Sequence, residues 1–253
     1  EAIVEIPFFD TNSIASGDYV VESGYEVTWS GTRGYPRTAT FHEGRLYLGG
    51  TKSRPNTLFG SRVARFFDFN PGEGLDDDSI EATLDTDSVN AIIGLFSGRD
   101  LQIFTKGGEF FVPQSSLDPI TPSNIVINGS TRRGAKEGIK PVGVESGTLF
   151  IQRSGKAVRE FSFSDTELSY VSSNISLLSS HLLSTPVDMA LRKATSTTEG
   201  DMLMIVNTDG TLVMYSLLRD QNVIAPSLAS TGPETATITV SDYANIAVGT
   251  ELT

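Results

Sequence analysis

Only two histidines occur in the chain, and one of them, His42, stands beside Glu43 in "GYPRTATFHEGRLYLGGT", residues 34–51. An imidazole next to a carboxylate is a pattern for general-base chemistry, but hydrolysis by that route needs a positioned serine nucleophile. No Gly-x-Ser-x-Gly elbow occurs anywhere in the chain. His42 falls where a strand runs into a glycine turn, so its expected part is backbone hydrogen bonding. His181 lies between leucines with no second histidine three to five residues away, which argues against zinc and for a satisfied core or interface residue. The chain has no cysteine, which removes thiolate metal sites, disulfides and a cysteine nucleophile.

Three further stretches carry chemical residue types. "GLDDDSIEATLDTD", 74–87, is rich in carboxylates but lacks the glycine and glutamate spacing of an EF-hand, and reads as a solvated connecting loop, with weak calcium binding the lesser alternative. "GSTRRGAK", 129–136, resembles a phosphate loop but lacks the closing Gly-Lys-Ser/Thr; Arg132, Arg133, Lys136 and Lys140 form a local basic patch, either suited to an acidic neighbouring subunit or plain solvated surface. Pairs of carboxylates for glycoside hydrolysis have no sequence signature, and nothing in the spacing selects one. The residues therefore point to no catalytic, cofactor or metal site.

The elements that carry these residues are strands. "HEGRLYLGG", "SGRDLQIFT", "ESGTLFIQR" and "EGDMLMIVN" align on a glycine-bearing turn followed by two apolar residues spaced by two. The pairs are Leu46/Leu48, Leu101/Ile103, Leu149/Ile151 and Leu203/Ile205, and residues i and i+2 of a strand share a face. Apolar runs precede each turn, and a second glycine-containing loop and a returning strand follow it. Each unit is at least a three-stranded meander, repeating at 55, 48 and 54 residues between Leu46, Leu101, Leu149 and Leu203. A period near 50 built of antiparallel strands favours an all-β, propeller-like platform over a continuous sandwich.

"SSNISLLSSHLLSTP", 172–186, interrupts this pattern. Ser172, Ser173 or Asn174 is a possible cap, Ile175, Leu178 and Leu182 recur at helical spacing, and Pro186 is a stop, so a short helical insertion is expected. Residues 1–30 read as the end of a flanking β-domain, 31–228 as the platform, and 229–253 as the start of an inserted or appended β-domain. The chain begins without methionine and stops at "VGTELT", as a piece of a longer polypeptide would. No apolar run is long enough to cross a bilayer as a helix. With 19 basic and 31 acidic residues the formal charge is −12, which argues against whole-chain attraction to nucleic acid.

"WSGTRGYPRTATFHEGRLYLGGTKSRPNTLFGSRVARFFDF", "LDTDSVNAIIGLFSGRDLQIFTKGGEFFV", "ITPSNIVINGSTRRGAKEGIKPVGVESGTLFIQRSGKAVREFSFS" and "NISLLSSHLL" together resemble the nozzle, or tail tubular protein B, family of short-tailed bacteriophages, over about residues 29–228. The resemblance implies a virion tail protein, not an enzyme. It would be made in an infected bacterium and arranged as a ring, hexameric in the family, below the portal and adaptor. Its partners would be the adaptor tail tubular protein and tail fibres, with double-stranded DNA passing through transiently.

Matching positions of expected structural weight include Arg33, Gly34, Pro36, Arg37, Gly60, Ser61, Gly98, Arg99, Gln152 and Arg153. Arg37 and Arg45 are expected to tie blades or subunits together. Asp76, Asp77 and Asp78 are the leading candidates for an acidic channel lining, while "TRRGAK" and "KSRP" would turn toward neighbouring subunits. After "NVIAPSLAS" the chain departs from the family pattern. The competing reading is a glycan-binding or glycan-cleaving propeller of a phage or bacterial surface protein; it wants clustered exposed Trp and Tyr, and the chain has one tryptophan, Trp29, expected outside the blades.

Overall fold

A computed structural model describes residues 28–86, 90–113, 119–145, 147–195, 200–218, 223–231 and 236–240. These residues form four antiparallel sheets and almost no helix. The chain divides into two compact units, 1–135 and 136–253.

In unit 1, β1 (Thr38–His42), β2 (Arg45–Gly49), β3 (Thr57–Gly60) and β4 (Ile80–Thr83) make the first sheet in that order. The second is β5 (Ile92–Ser97), β6 (Leu101–Thr105), β7 (Glu109–Val112) and β8 (Asn128–Thr131), again in chain order. β5 packs against β1 and β2, and the Leu95 amide donates to Thr38 Oγ1 at 3.1 Å. Tyr47, Leu58, Ile80, Ile92, Leu101 and Ile103 lie in the shared core.

In unit 2, β9 (Val142–Val144), β10 (Gly147–Ile151), β11 (Val158–Ser164) and β12 (Ser169–Asn174) form the third sheet. The fourth joins β13 (Pro186–Arg192), β14 (Asp201–Asn207), β15 (Leu212–Leu218), β16 (Val223–Thr231) and β17 (Ala236–Val240). Leu149, Ile151, Val158, Leu203, Ile205, Val213 and Tyr215 share one core. Each of the four sheets is a meander with two open edges.

The inward pairs Leu101/Ile103, Leu149/Ile151 and Leu203/Ile205 are buried as the repeat requires. The first sheet is offset by one residue. β2 alternates with Arg45, Tyr47 and Gly49 buried, and Leu46 and Leu48 on the half-covered face. The register follows the hairpin: His42 pairs with Arg45 across two residues, Glu43 at φ +45° and Gly44 at φ +70°, which sets Leu46 opposite the exposed Phe41 and Tyr47 opposite Thr40. A one-residue shift of register moves every side chain of a strand to the other face.

The expected helix is also corrected. Residues 172–174 continue β12, and only a 3₁₀ segment η1 (Leu177–Leu182) follows, broken at Ser179 (φ −125°, ψ 18°). Leu178, one of the three residues at helical spacing, is 91% exposed, while Leu183 is fully buried. Six residues are too few for a self-supporting α-helix, and here side chains replace its hydrogen bonds. The Ser176 amide donates to Asn174 Oδ1 (3.1 Å), Ser176 Oγ accepts the Val158 amide (2.8 Å), and Ser179 Oγ donates to the Tyr215 hydroxyl (3.2 Å). His181, expected in a core or interface, is exposed on this segment. β16 runs through the expected boundary at 228/229, so residues 229–231 and β17 extend the fourth sheet. Of the flanking segments, 1–27 and 241–253 lie outside the described residues.

Candidate functional site

Many exposed charged residues of unit 1 gather at the two ends of its strands. β1, β3, β5 and β7 run toward one end, which holds the β1–β2 hairpin, the long loop 61–79 and the β5–β6 turn. The contacts joining these pieces are Ala64 N–H to Gly44 O (2.8 Å), His42 to Ser97, and Ile120 N–H to Glu43 Oε2 (3.4 Å).

Arg45 and Asp78 build the long loop. The Arg45 guanidinium, 1% exposed, donates to the carbonyls of Ser61 (2.7 Å), Asp78 (2.5 Å) and Asp76 (2.6 Å). A planar fork with five donors satisfies three loop carbonyls that lysine could not reach together. Arg45 therefore ties its own strand to its own loop, not blades or subunits to each other.

Asp78 is the second anchor. Its Oδ2 accepts the amides of Glu73 (3.1 Å), Gly74 (3.0 Å) and Leu75 (2.9 Å), and its Oδ1 lies 2.6 Å from the Arg62 guanidinium. The Leu75 amide is the main cause holding this carboxyl below its ordinary range; Arg62 and the amides of Gly74 and Glu73 add to it, and burial opposes them. Gly72 is needed at φ +57°, because a Cβ there would meet the Asp78 carboxylate at 2.5 Å.

Asp78, 1% exposed, therefore faces the protein and cannot line a channel as a free carboxylate. Asp76 and Asp77 remain exposed, with Glu73 beside them; Asp77 lies 3.6 Å from the Arg62 guanidinium, and Arg65 and Arg99 are exposed at the same end. Exposed phenylalanines share this end: Phe41 and Phe66 meet edge-to-face at 5.1 Å, and Phe67 is 70% exposed.

At the other end of the strands basic side chains predominate. The Ile92 amide donates to Pro55 O (2.8 Å), Lys106 N–H to Ala91 O (3.1 Å), and Ala135 N–H to Thr105 O (2.8 Å), which gathers the 50–56 loop, the β6–β7 turn and the segment after β8. Gly134, at φ +71°, packs so closely that a Cβ would lie 2.2 Å from Lys106 O. Arg37 joins through its amide to Gly49 O (2.9 Å), and Ser53 N–H reaches Arg33 O (2.9 Å). Exposed Arg37, Lys52, Lys106, Arg132 and Arg133 thus share one end. Arg54 is paired with Glu81 there. Beneath them Glu109, fully buried, accepts the Thr131 hydroxyl and the Arg133 amide (3.2 Å).

Of the remaining candidates, Arg99 is exposed on the β5–β6 turn at the acidic end. Arg153 is exposed on the β10–β11 turn of unit 2, beside Gln152, which accepts Arg159 Nε at 2.7 Å. Lys136 and Lys140 belong to unit 2.

His42 is buried, and its Nδ1 lies 2.8 Å from Ser97 Oγ, a partner that sequence spacing could not supply. Burial pulls the imidazole below its ordinary pKa, against the raising effect of Glu43 and Asp100. No described protein group hydrogen-bonds Nε2, so the pair lacks the orienting third group of a hydrolytic triad and instead links β1 to β5. Trp29 packs on the first sheet, edge-on to Phe59 (5.5 Å) and Phe69 (5.1 Å), and not outside it as expected. Among the described residues no cluster of three or more acidic or histidine side chains could hold a metal ion.

No family model matches the chain, and a search of curated proteins finds no significant match. No helix among the described residues is long and apolar enough to cross a membrane.

Proposed function

We propose that this chain is a structural protein of a bacteriophage tail, a propeller-like platform that assembles into a ring-shaped nozzle below the portal and adaptor and conducts DNA during ejection. The observation that carries the reading is the succession of four meander sheets in chain order, with four, four, four and five strands. Blade-like sheets of about four strands, repeated along a chain, bury their faces against one another in propellers. The ordered resemblance of residues 29–228 to the nozzle family supports the tail assignment. The buried charges Arg45 and Asp78 are engaged in holding the long loop together, Arg45 through backbone carbonyls and Asp78 through backbone amides and Arg62.

On this reading the protein has no catalytic role, its site is a set of contact surfaces, and its place is the virion. The test is imaging of the purified protein by negative stain. Rings with a central hole are expected; single particles without a hole at every concentration would overturn the proposal, and turnover of a polysaccharide panel would favour a glycan-active protein.

A further inference from the structure

We propose that the two strand ends of unit 1 are the two halves of one contact between copies of this chain: the basic end of one copy seats on the acidic, phenylalanine-bearing end of the next. The inference deepens the ring reading and rests on it. Arg37, Lys52, Lys106, Arg132 and Arg133 are exposed at one end; Glu73, Asp76 and Asp77 are exposed at the end that carries the phenylalanines, where they outnumber the exposed cations Arg65 and Arg99. The cations come from separate stretches of sequence gathered by backbone hydrogen bonds and the close approach of Gly134 to Lys106 O.

Two features select a second copy as the occupant. The first is charge complementarity within one chain: a chain of net charge −12 carries its own basic surface, and the matching acidic surface lies at the far end of the same unit. Opposed potentials on different faces orient partners head to tail, and a head-to-tail contact generates a closed ring when the rotation closes. The second is the apolar centre of the acidic end. Phe41, Phe66 and Phe67 are 61%, 36% and 70% exposed, large apolar side chains in water that a subunit contact would cover. An acidic channel wall would keep these rings wet, whereas a subunit contact covers them. This assigns Asp76 and Asp77 to the subunit boundary in place of the lumen.

The experiment is a reciprocal charge reversal in the 253-residue chain. One variant carries Lys52→Glu, Arg132→Glu and Arg133→Glu; the other carries Glu73→Lys, Asp76→Lys and Asp77→Lys. All six side chains are exposed, and thermal melts check that both variants fold. Sedimentation velocity at low and high salt reads self-association, and a duplex DNA fragment serves as a second probe.

Each variant alone is expected to self-associate at least about tenfold more weakly than the native chain at low salt, and an equimolar mixture to recover association, because each reversed end then meets its complement. Phe67→Ser is expected to weaken association at every salt concentration. Native-like association of either charge variant overturns the contact and leaves the ring reading standing. A native chain that stays monomeric at all concentrations overturns both. If the native chain retains the DNA fragment, and the Lys52/Arg132/Arg133 variant loses it with self-association unchanged, the basic end is a nucleic-acid surface and the proposal fails.

Discussion

In the fourth sheet Leu203 and Ile205 face a core of other apolar side chains, while in the first sheet the inward positions of the corresponding strand belong to Arg45 and Tyr47. The hairpin between β14 and β15 closes locally: Asp209 Oδ1 accepts the Thr211 amide (3.0 Å) and hydroxyl (2.6 Å), and Gly210 takes φ +82°. The connection after β3 is the long loop 61–79, and its carbonyls come to a buried guanidinium. A strand whose loops close on themselves needs only apolar residues on its inner face. One that must anchor a long loop gives up an apolar position to a charge, and the charge then requires every donor to be matched.

The largest effect should therefore fall on Arg45. Arg45→Ala leaves two buried carbonyls and one part-buried carbonyl without this donor and should cost about 3 to 5 kcal/mol in urea unfolding. Arg45→Lys should recover only part, because one ammonium cannot reproduce the fork. If Arg45→Ala unfolds like the native chain, the first sheet does not depend on its charged anchor.

Next come the leucines of the repeat. Leu149→Ala and Leu203→Ala should each cost about 2 to 5 kcal/mol, since both are fully buried. Leu46→Ala, at the position that sequence alignment makes equivalent, should cost about 1 kcal/mol, because β2 turns it to the half-covered face. Equal losses at all three positions would refute the one-residue offset.

Asp78→Asn should act locally and through pH. Amide exchange at Glu73, Gly74 and Leu75 should quicken. The native carboxyl is depressed below its ordinary value of 3.8, so its contribution is complete above that pH and lost as pH falls through the lowered value. The variant should show a flatter acid limb in stability against pH, with little difference between loop amides elsewhere.

The smallest effect belongs to His42. Its pKa is lowered from 6.5 by burial, so the fold favours the neutral ring: stability is highest above 6.5 and declines as pH falls below it. His42→Gln keeps a polar partner for Ser97 and should remove that decline. A native curve that is flat between neutrality and mild acid would show that His42 does not report on the β1–β5 seam.

The turn-and-strand repeat was legible because glycine turns and i, i+2 apolar pairs are local properties, and three of the four buried pairs followed from it. The offset in β2 was not, because the repeat aligned leucines while the two-residue hairpin counted from His42 to Arg45. The helical spacing of Ile175, Leu178 and Leu182 misled for a related reason: serine and asparagine side chains satisfied the local amides and removed the need for helix. The separation of acidic and basic stretches was visible in sequence. Their placement at opposite strand ends required the topology, as did the burial of Asp78 within an acidic run whose neighbours stay exposed. A sequence signal for that burial does exist in Gly72 and Gly74, which let the backbone wrap around the carboxylate.

The most direct measurement of the central claim is native mass spectrometry of the purified protein across concentration at low salt. A ring built from one repeated head-to-tail contact predicts a single closed species at one discrete multiple of the chain mass, which falls apart as salt rises. A monomer throughout, or an open-ended ladder of masses with no preferred size, would contradict it.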